Sequence, residues 1–307
     1  MINAILKFIN RSNANPQKRT RGLIEFHELT AWYDDLTNEE RALLRKYHSD
    51  GMGFCQDDLD TGHVQSSKSR LYFLNGCARA AFLHKDYGFS ERILNYALLE
   101  KSKSYMDRHF TYLTAIELTY TLAHMGIDAE RHKTMCKMFC EKDIEIRDKT
   151  LADMKAEDDR YESKRKSQTE KLPPLIVRYP AFDYLAALYA ENNDLTSCMD
   201  TIKKALERGE LKFSFERSPY KAFRLLKDQL LSCECDAEKQ HLIRELDFLD
   251  SLEVLDKAQT KRLLGELHEK HGENALAIRC FEEAISLNPN IGVKRRLKKL
   301  QKLSVQE

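Results

Sequence analysis

Apolar positions along this chain recur at three- and four-residue spacing over most of its length, the period of a helix packed on one face. From residue 23 to about residue 48, LIEFHELTAWYDDLTNEERALLRKYH predicts two helices. Thr37 followed three residues later by Glu40 makes a capping box at the start of the second, and Leu43, Leu44 and Tyr47 supply its apolar stripe. Residues 49–67, SDGMGFCQDDLDTGHVQSS, carry three glycines and no period, and predict a loop. Periodicity returns at Arg70, and the segment through Ser102 divides at Gly88 into two helices of about a dozen residues. A similar unit follows over residues 108–144, broken at Gly126, and two successive helical hairpins of similar length are a repeat signal. Residues 153–171 carry twelve charges that sum to zero and almost nothing to bury. They predict a solvated helix extension with pairs such as Glu162 and Lys166, or a linker. Pro173 and Pro174 stop any helix, which places the main boundary there. The expected organisation is a basic tail over 1–22, helical hairpins over 23–152, a charged segment over 153–174 and a helical domain over 175–307.

Beyond the prolines the chain repeats itself. Leu185, Ala186, Tyr189, Asn193, Cys198, Ile202 and Ala205 align without a gap on Leu264, Gly265, His268, Gly272, Ala277, Phe281 and Ala284. Each unit reads as two antiparallel helices. Small residues at Ala186 or Gly265 and at Cys198 or Ala277 let the backbones approach, while Ile202 or Phe281 fills the space between. Asn193 and Gly272 fall where the chain turns and tolerate positive φ. Pro289 ends the second unit.

These two units resemble tetratricopeptide repeats, helix-turn-helix units that stack into right-handed superhelices. Residues 258–291 match the pattern at Leu264, Gly265, Gly272, Ala277, Phe281, Ala284 and Pro289, and residues 179–212 match well. Lys261 departs from it, where the family favours an aromatic; Phe182 supplies one in the earlier unit. The roughly 45 residues between them hold a longer helix pair that fits the stack and not the consensus. The N-terminal hairpins fit weakly, through Ala78 and Ala97 in one and Gly126 in the other. The resemblance implies an all-α, right-handed superhelical stack of antiparallel helix pairs that acts as a non-enzymatic scaffold or adaptor for a protein or peptide. In that family the first helix of each repeat lines the groove. By position, the groove would present Asp183, Ala187 and Glu191 from one repeat and Arg262, Glu266 and Lys270 from the other. Asp183, Ala187 and Glu266 break the lysine and asparagine clamp of tail-binding members, so no carboxylate clamp is expected.

Composition narrows the picture further. The 50 basic residues nearly cancel the 49 acidic ones, so no whole-chain field favours nucleic acid or membrane. Eleven glycines and six prolines in 307 residues argue for helix over an all-β chain. No apolar run approaches a membrane span, and the opening MINAILKFIN is too interrupted for a secretory core, which points to the cytoplasm. The eight cysteines show no disulfide framework and read as reduced, mostly packed thiols. Local basic patches remain. The tail carries Lys7, Arg11, Lys18, Arg19 and Arg21 with no acid, and reads as a frayed end or an anionic contact. The last helix puts Val293, Leu297 and Leu300 on one face. Its other face offers Lys294, Arg295, Lys298 and Lys299 as a solubilising cap or a contact for an anionic partner.

Chemical motifs are sparse, and neither a metal nor a cofactor is expected. Asp57, Asp58 and Asp60 lack the further ligands of a calcium loop. The histidines of HEKH, His268 and His271, are one residue too close for a zinc-protease face. His132 and Cys140 would lie about 12 Å apart on a helix, so one ion cannot join both with Cys136; packing is the expected role. Arg79 and His84 resemble the R-x4-H motif of HEPN ribonucleases, although Ala80 stands where that family has a polar residue. A ribonuclease, or a peptide-responsive regulator, is therefore the alternative to the scaffold.

Overall fold

The computed structural model describes residues 22–53, 55–62, 64–164 and 178–303. The basic tail, except Gly22, and the boundary prolines Pro173 and Pro174 lie outside them. The described residues are helical, with turns and loops between, and contain no strand. The chain divides into two compact units, Met1–Leu175 and Ile176–Glu307.

In the first unit, α1 (Gly22–Phe26), α2 (Thr30–Asp34) and α3 (Asn38–Met52) precede two hairpins. These are α4 (Arg70–Leu83) with α5 (Tyr87–Ala97), and α6 (Tyr105–His124) with α7 (Ala129–Lys164). The capping box forms as expected: the Glu40 amide donates to Thr37 Oγ1 at 3.2 Å, and the Thr37 amide to Glu40 Oε2 at 2.8 Å. Three expected boundaries move. The second helix runs on to Met52 and ends on Gly53, whose φ of 70° closes it. The break expected at Gly88 lies earlier, at Lys85, which takes a φ of 62°. Asp86 then caps α5, leaving Gly88 inside that helix. The charged segment continues α7 through Lys164 in one helix of 36 residues, about 54 Å long. His132, Cys136, Phe139, Cys140, Asp143, Arg147, Thr150 and Met154 form its buried stripe. Between Met154 and Arg160 no side chain is buried, so its charges hold the helix in water. The pair Glu162 and Lys166 lies outside the described side chains.

Histidines enter the core of the first unit. His27 stacks on Phe73 with centroids 5.0 Å apart, and His48 meets the same ring at 5.7 Å. Burial holds both imidazoles down to about 4; for His27 the Arg70 charge adds to it.

The second unit is three hairpins and a closing helix. They are α8 (Ala181–Glu191) with α9 (Leu195–Glu207), α10 (Ser218–Ser232) with α11 (Asp236–Ser251), and α12 (Lys257–Lys270) with α13 (Asn274–Leu287); α14 (Lys294–Leu303) follows. The first helix of each pair packs on the first helix of the next, α8 on α10 and α10 on α12, which makes the row a stack. The two aligned turns match in conformation, with a φ of 60° at Asn193 and 73° at Gly272. Phe281, fully buried, lies over Gly265, where a Cβ would come within 2.6 Å of the ring. Around Phe281 gather Ala258, Ala277, Ala284, Ile291, Val293 and Leu300, so α14 closes the core of the last pair.

Two outcomes follow. Gly265→Ala forces the Phe281 ring to move and lowers stability by about 1–3 kcal/mol in urea unfolding. Gly88→Ala, in a helix with open space around it, raises stability by up to about 1 kcal/mol. The histidines set a pH dependence. The unfolded chain takes up protons on His27 and His48 below about pH 6.5 that the folded core refuses until about 4. Stability is complete above that window and falls within it by about 1.4 kcal/mol per pH unit per histidine. Urea midpoints of the full chain should drop from pH 7.5 to pH 5, and His27→Phe should remove about half of the slope.

Candidate functional site

The positions expected to line a groove sit where successive first helices meet. Asp183 is 2% exposed and accepts the backbone N–H groups of Glu216, Arg217 and Ser218 at 3.2, 3.0 and 2.8 Å. It also accepts the Ser218 hydroxyl at 2.8 Å. A carboxylate from α8 thus satisfies the free amides at the start of α10 and meets the positive end of its dipole. Arg217 completes the arrangement, 3.4 Å from Asp183 and stacked 4.3 Å over the Tyr184 ring. Ala187 is fully buried, and Glu191 pairs with Lys221 of α10.

The later repeat uses the same positions in the same manner. Arg262 Nη1 donates to the Ile291 carbonyl at 3.1 Å, ahead of α14. Its Nε pairs with Glu266, one turn on, at 2.8 Å. Glu266, 6% exposed, also meets Arg296 of α14 at 2.9 Å. Lys270 donates to the Leu231 and Cys233 carbonyls at 2.6 and 3.4 Å, a cation at the carbonyl end of α10. Asp183, Ala187 and Glu266 are buried, their side chains packed within the stack. Glu191, Arg262 and Lys270 keep some exposure but are anchored to their own chain.

The middle pair supplies what the consensus does not mark. Tyr220 of α10 donates to the Val254 carbonyl at 2.8 Å, just ahead of α12. It therefore occupies the place of Asp183 and Arg262, and Arg224 and Asp228 follow at the same four-residue steps. Tyr220 is 56% exposed, and Arg224 and Asp228 are exposed with no side-chain ion pair among the described residues. Sequence reasoning missed this set because the middle pair lacks the repeat residues that fix the register. Only the helical period of PYKAFRLLKDQLL marks it. Val293, just ahead of α14, and Leu300 within it are buried, and Lys294, Arg295, Lys298 and Lys299 are exposed.

The candidate chemical groups are dispersed. Arg79 pairs with Glu117, while His84 Nε2 meets Asp50 at 3.0 Å, so each member of the ribonuclease-like pair is engaged by a different acid. His132 donates from Nδ1 to the Ile127 carbonyl at 2.6 Å. Cys136 and Cys140 are fully buried, and burial pushes the Cys140 thiol well above its ordinary range. His268 meets Glu273 at 2.5 Å, and this bond, helped by Lys239, holds the Glu273 carboxyl below its ordinary value. Asp60 is occupied by Arg45 and by Tyr33, whose hydroxyl burial and that bond push up to about 12. Among the described residues no three His, Cys, Asp or Glu side chains converge as metal ligands do.

Asp183→Ala strands three amides and the Ser218 hydroxyl at a buried helix start, and should cost about 3–5 kcal/mol in the second unit. Unfolding followed by hydrogen exchange on α8 and α10 measures it. Glu191→Gln, at a partly exposed pair, should cost less than about 1 kcal/mol.

Residues 258–291 match the tetratricopeptide repeat family. The match spans α12, α13 and the turn that leads into α14. No curated protein and no solved structure matches the chain. No described helix is long and apolar enough to cross a membrane. The matched repeat and the consecutive pairing of helices together make this chain an all-α, TPR-like helical repeat protein.

Proposed function

We propose that the second unit is a non-enzymatic scaffold that binds a protein or peptide along the exposed side of its first helices, in the cytoplasm. The observation that carries this reading is the row formed by Tyr220, Arg224 and Asp228 on α10, at the positions whose counterparts in the flanking pairs are spent on packing. An aromatic ring, a cation and an anion one turn apart, held on a packed helix, offer a partner stacking area and charged hydrogen bonds without an ordering cost to the scaffold. Arg262 and Lys270, partly open on the neighbouring first helix, flank the row. Asp183, Ala187 and Glu266 serve in this reading as its frame.

The test is selection of peptide ligands from a random library on the full chain, followed by titration. Arg224→Glu should weaken the selected peptides at least about tenfold, as loss of a charge-assisted hydrogen bond does. Lys298→Glu, on the outer side of α14, should leave them unchanged. Equal affinities for wild type and Arg224→Glu would sink the assignment of the row. Affinity capture with mass spectrometry then names the cellular partner.

A further inference from the structure

The first unit holds a cleft that the repeat reading does not use. It has a volume of about 580 Å³ and lies between the start of α6 and the outer side of α7. Lys103, Arg108 and Lys142 line it with Tyr105, Tyr112 and a single carboxylate, Glu145. The three cations have no carboxylate partner among the described residues. Arg108, half-buried, gives one N–H to the Ser102 carbonyl at 3.3 Å, which steadies the guanidinium and leaves most of its five donors open. Most arginines of the described chain are paired with acids, so an uncompensated half-buried one at a recess stands apart.

A second observation is independent of charge. Tyr112 lines the cleft with its ring held in place, stacked on Phe139 at 6.3 Å, and its hydroxyl is within reach of solvent and takes no partner among the described residues. The start of α6 itself is not the attraction. Its first amides are occupied, those of Tyr105 and Met106 by Asp153 at 2.7 and 3.4 Å and that of Asp107 by Ser104 at 3.1 Å.

We propose that this cleft binds a phosphate monoester. The lining carries a formal charge of +2, three cations less Glu145, which a phosphate of about −1.5 to −2 neutralises. A guanidinium fork, two ammonium groups and a phenol hydroxyl provide donors for its three terminal oxygens, whereas one carboxylate would leave donors and charge unmatched. Lys149, stacked 5.0 Å over the Tyr105 ring, adds a fourth cation beside the recess. The volume exceeds the phosphate alone and admits the group that carries it.

Calorimetric titration of the full chain with inorganic phosphate, a phosphoserine peptide and hexaglutamate, at one ionic strength, tests the assignment. Phosphate and phosphopeptide should bind, and hexaglutamate should bind at least about tenfold more weakly than the phosphopeptide. Arg108→Gln with Lys142→Gln should lose at least about tenfold in affinity. Tyr112→Phe should lose a smaller, measurable factor with its melting temperature within a few degrees of wild type. Lys298→Gln with Lys299→Gln should change nothing. A phosphopeptide at least tenfold tighter than inorganic phosphate assigns the site to a modified protein, and equal affinities assign it to a small phosphate-bearing molecule. The proposal is overturned if neither phosphate probe binds, if hexaglutamate matches the phosphopeptide, or if the Lys298 and Lys299 pair loses as much as the cleft variants.

Discussion

The second unit depends on a requirement that packing creates: every helix starts with amides that have no intrahelical acceptor, and in a stack those starts are buried. Asp183 meets that requirement for α10 from another helix, accepting three consecutive amides and a hydroxyl. An apolar residue there would leave donors stranded in a dry interior at several kcal/mol. A carboxylate without those donors would be as costly. The two groups therefore fix each other, and with them the register of α8 against α10. Within the last pair an apolar contact does the fitting, with Phe281 lying over Gly265.

The two units solve burial differently. The second spreads its core over short hairpins, each covered by the next and the last by α14. The first commits much of its core to one long pairing, α6 against α7, and carries polar groups into it. His109 and Asp143 meet at 2.8 Å in its interior, 2% and 0% exposed. Such a pair is specific in geometry and tolerant of little change.

Much of the helical order was legible in the residues, because each helix shows its period and its stops. Thr37 with Glu40 marked a helix start, and Asn193 opposite Gly272 marked two turns that share a left-handed conformation. Gly88 misled because a glycine is permitted at a break without requiring one; Lys85 takes the positive φ instead. The charged end of α7 was ambiguous because its charges can support a helix in water or a linker, and composition does not separate them. The candidate site was legible as a set of positions and not as a surface. Periodicity tells that Asp183, Ala187 and Glu191 share a helix side; it does not tell that the next first helix covers that side. In the middle pair, where the consensus fails, the exposed row at Tyr220 was found only once the fold supplied the register.

Three of the ties between hairpins share a direction, while Lys270 runs the other way, from α12 back to the end of α10. Asp183 holds the backbone ahead of α10, Tyr220 the backbone ahead of α12, and Arg262 the backbone ahead of α14. In each the side chain belongs to the earlier helix and the backbone it secures to the later segment. A chain emerging from its amino end thus completes the buried charge of Asp183 only when the segment ahead of α10 arrives. A cut after the first hairpin of the second unit leaves Asp183 without the amides and hydroxyl that the following segment supplies.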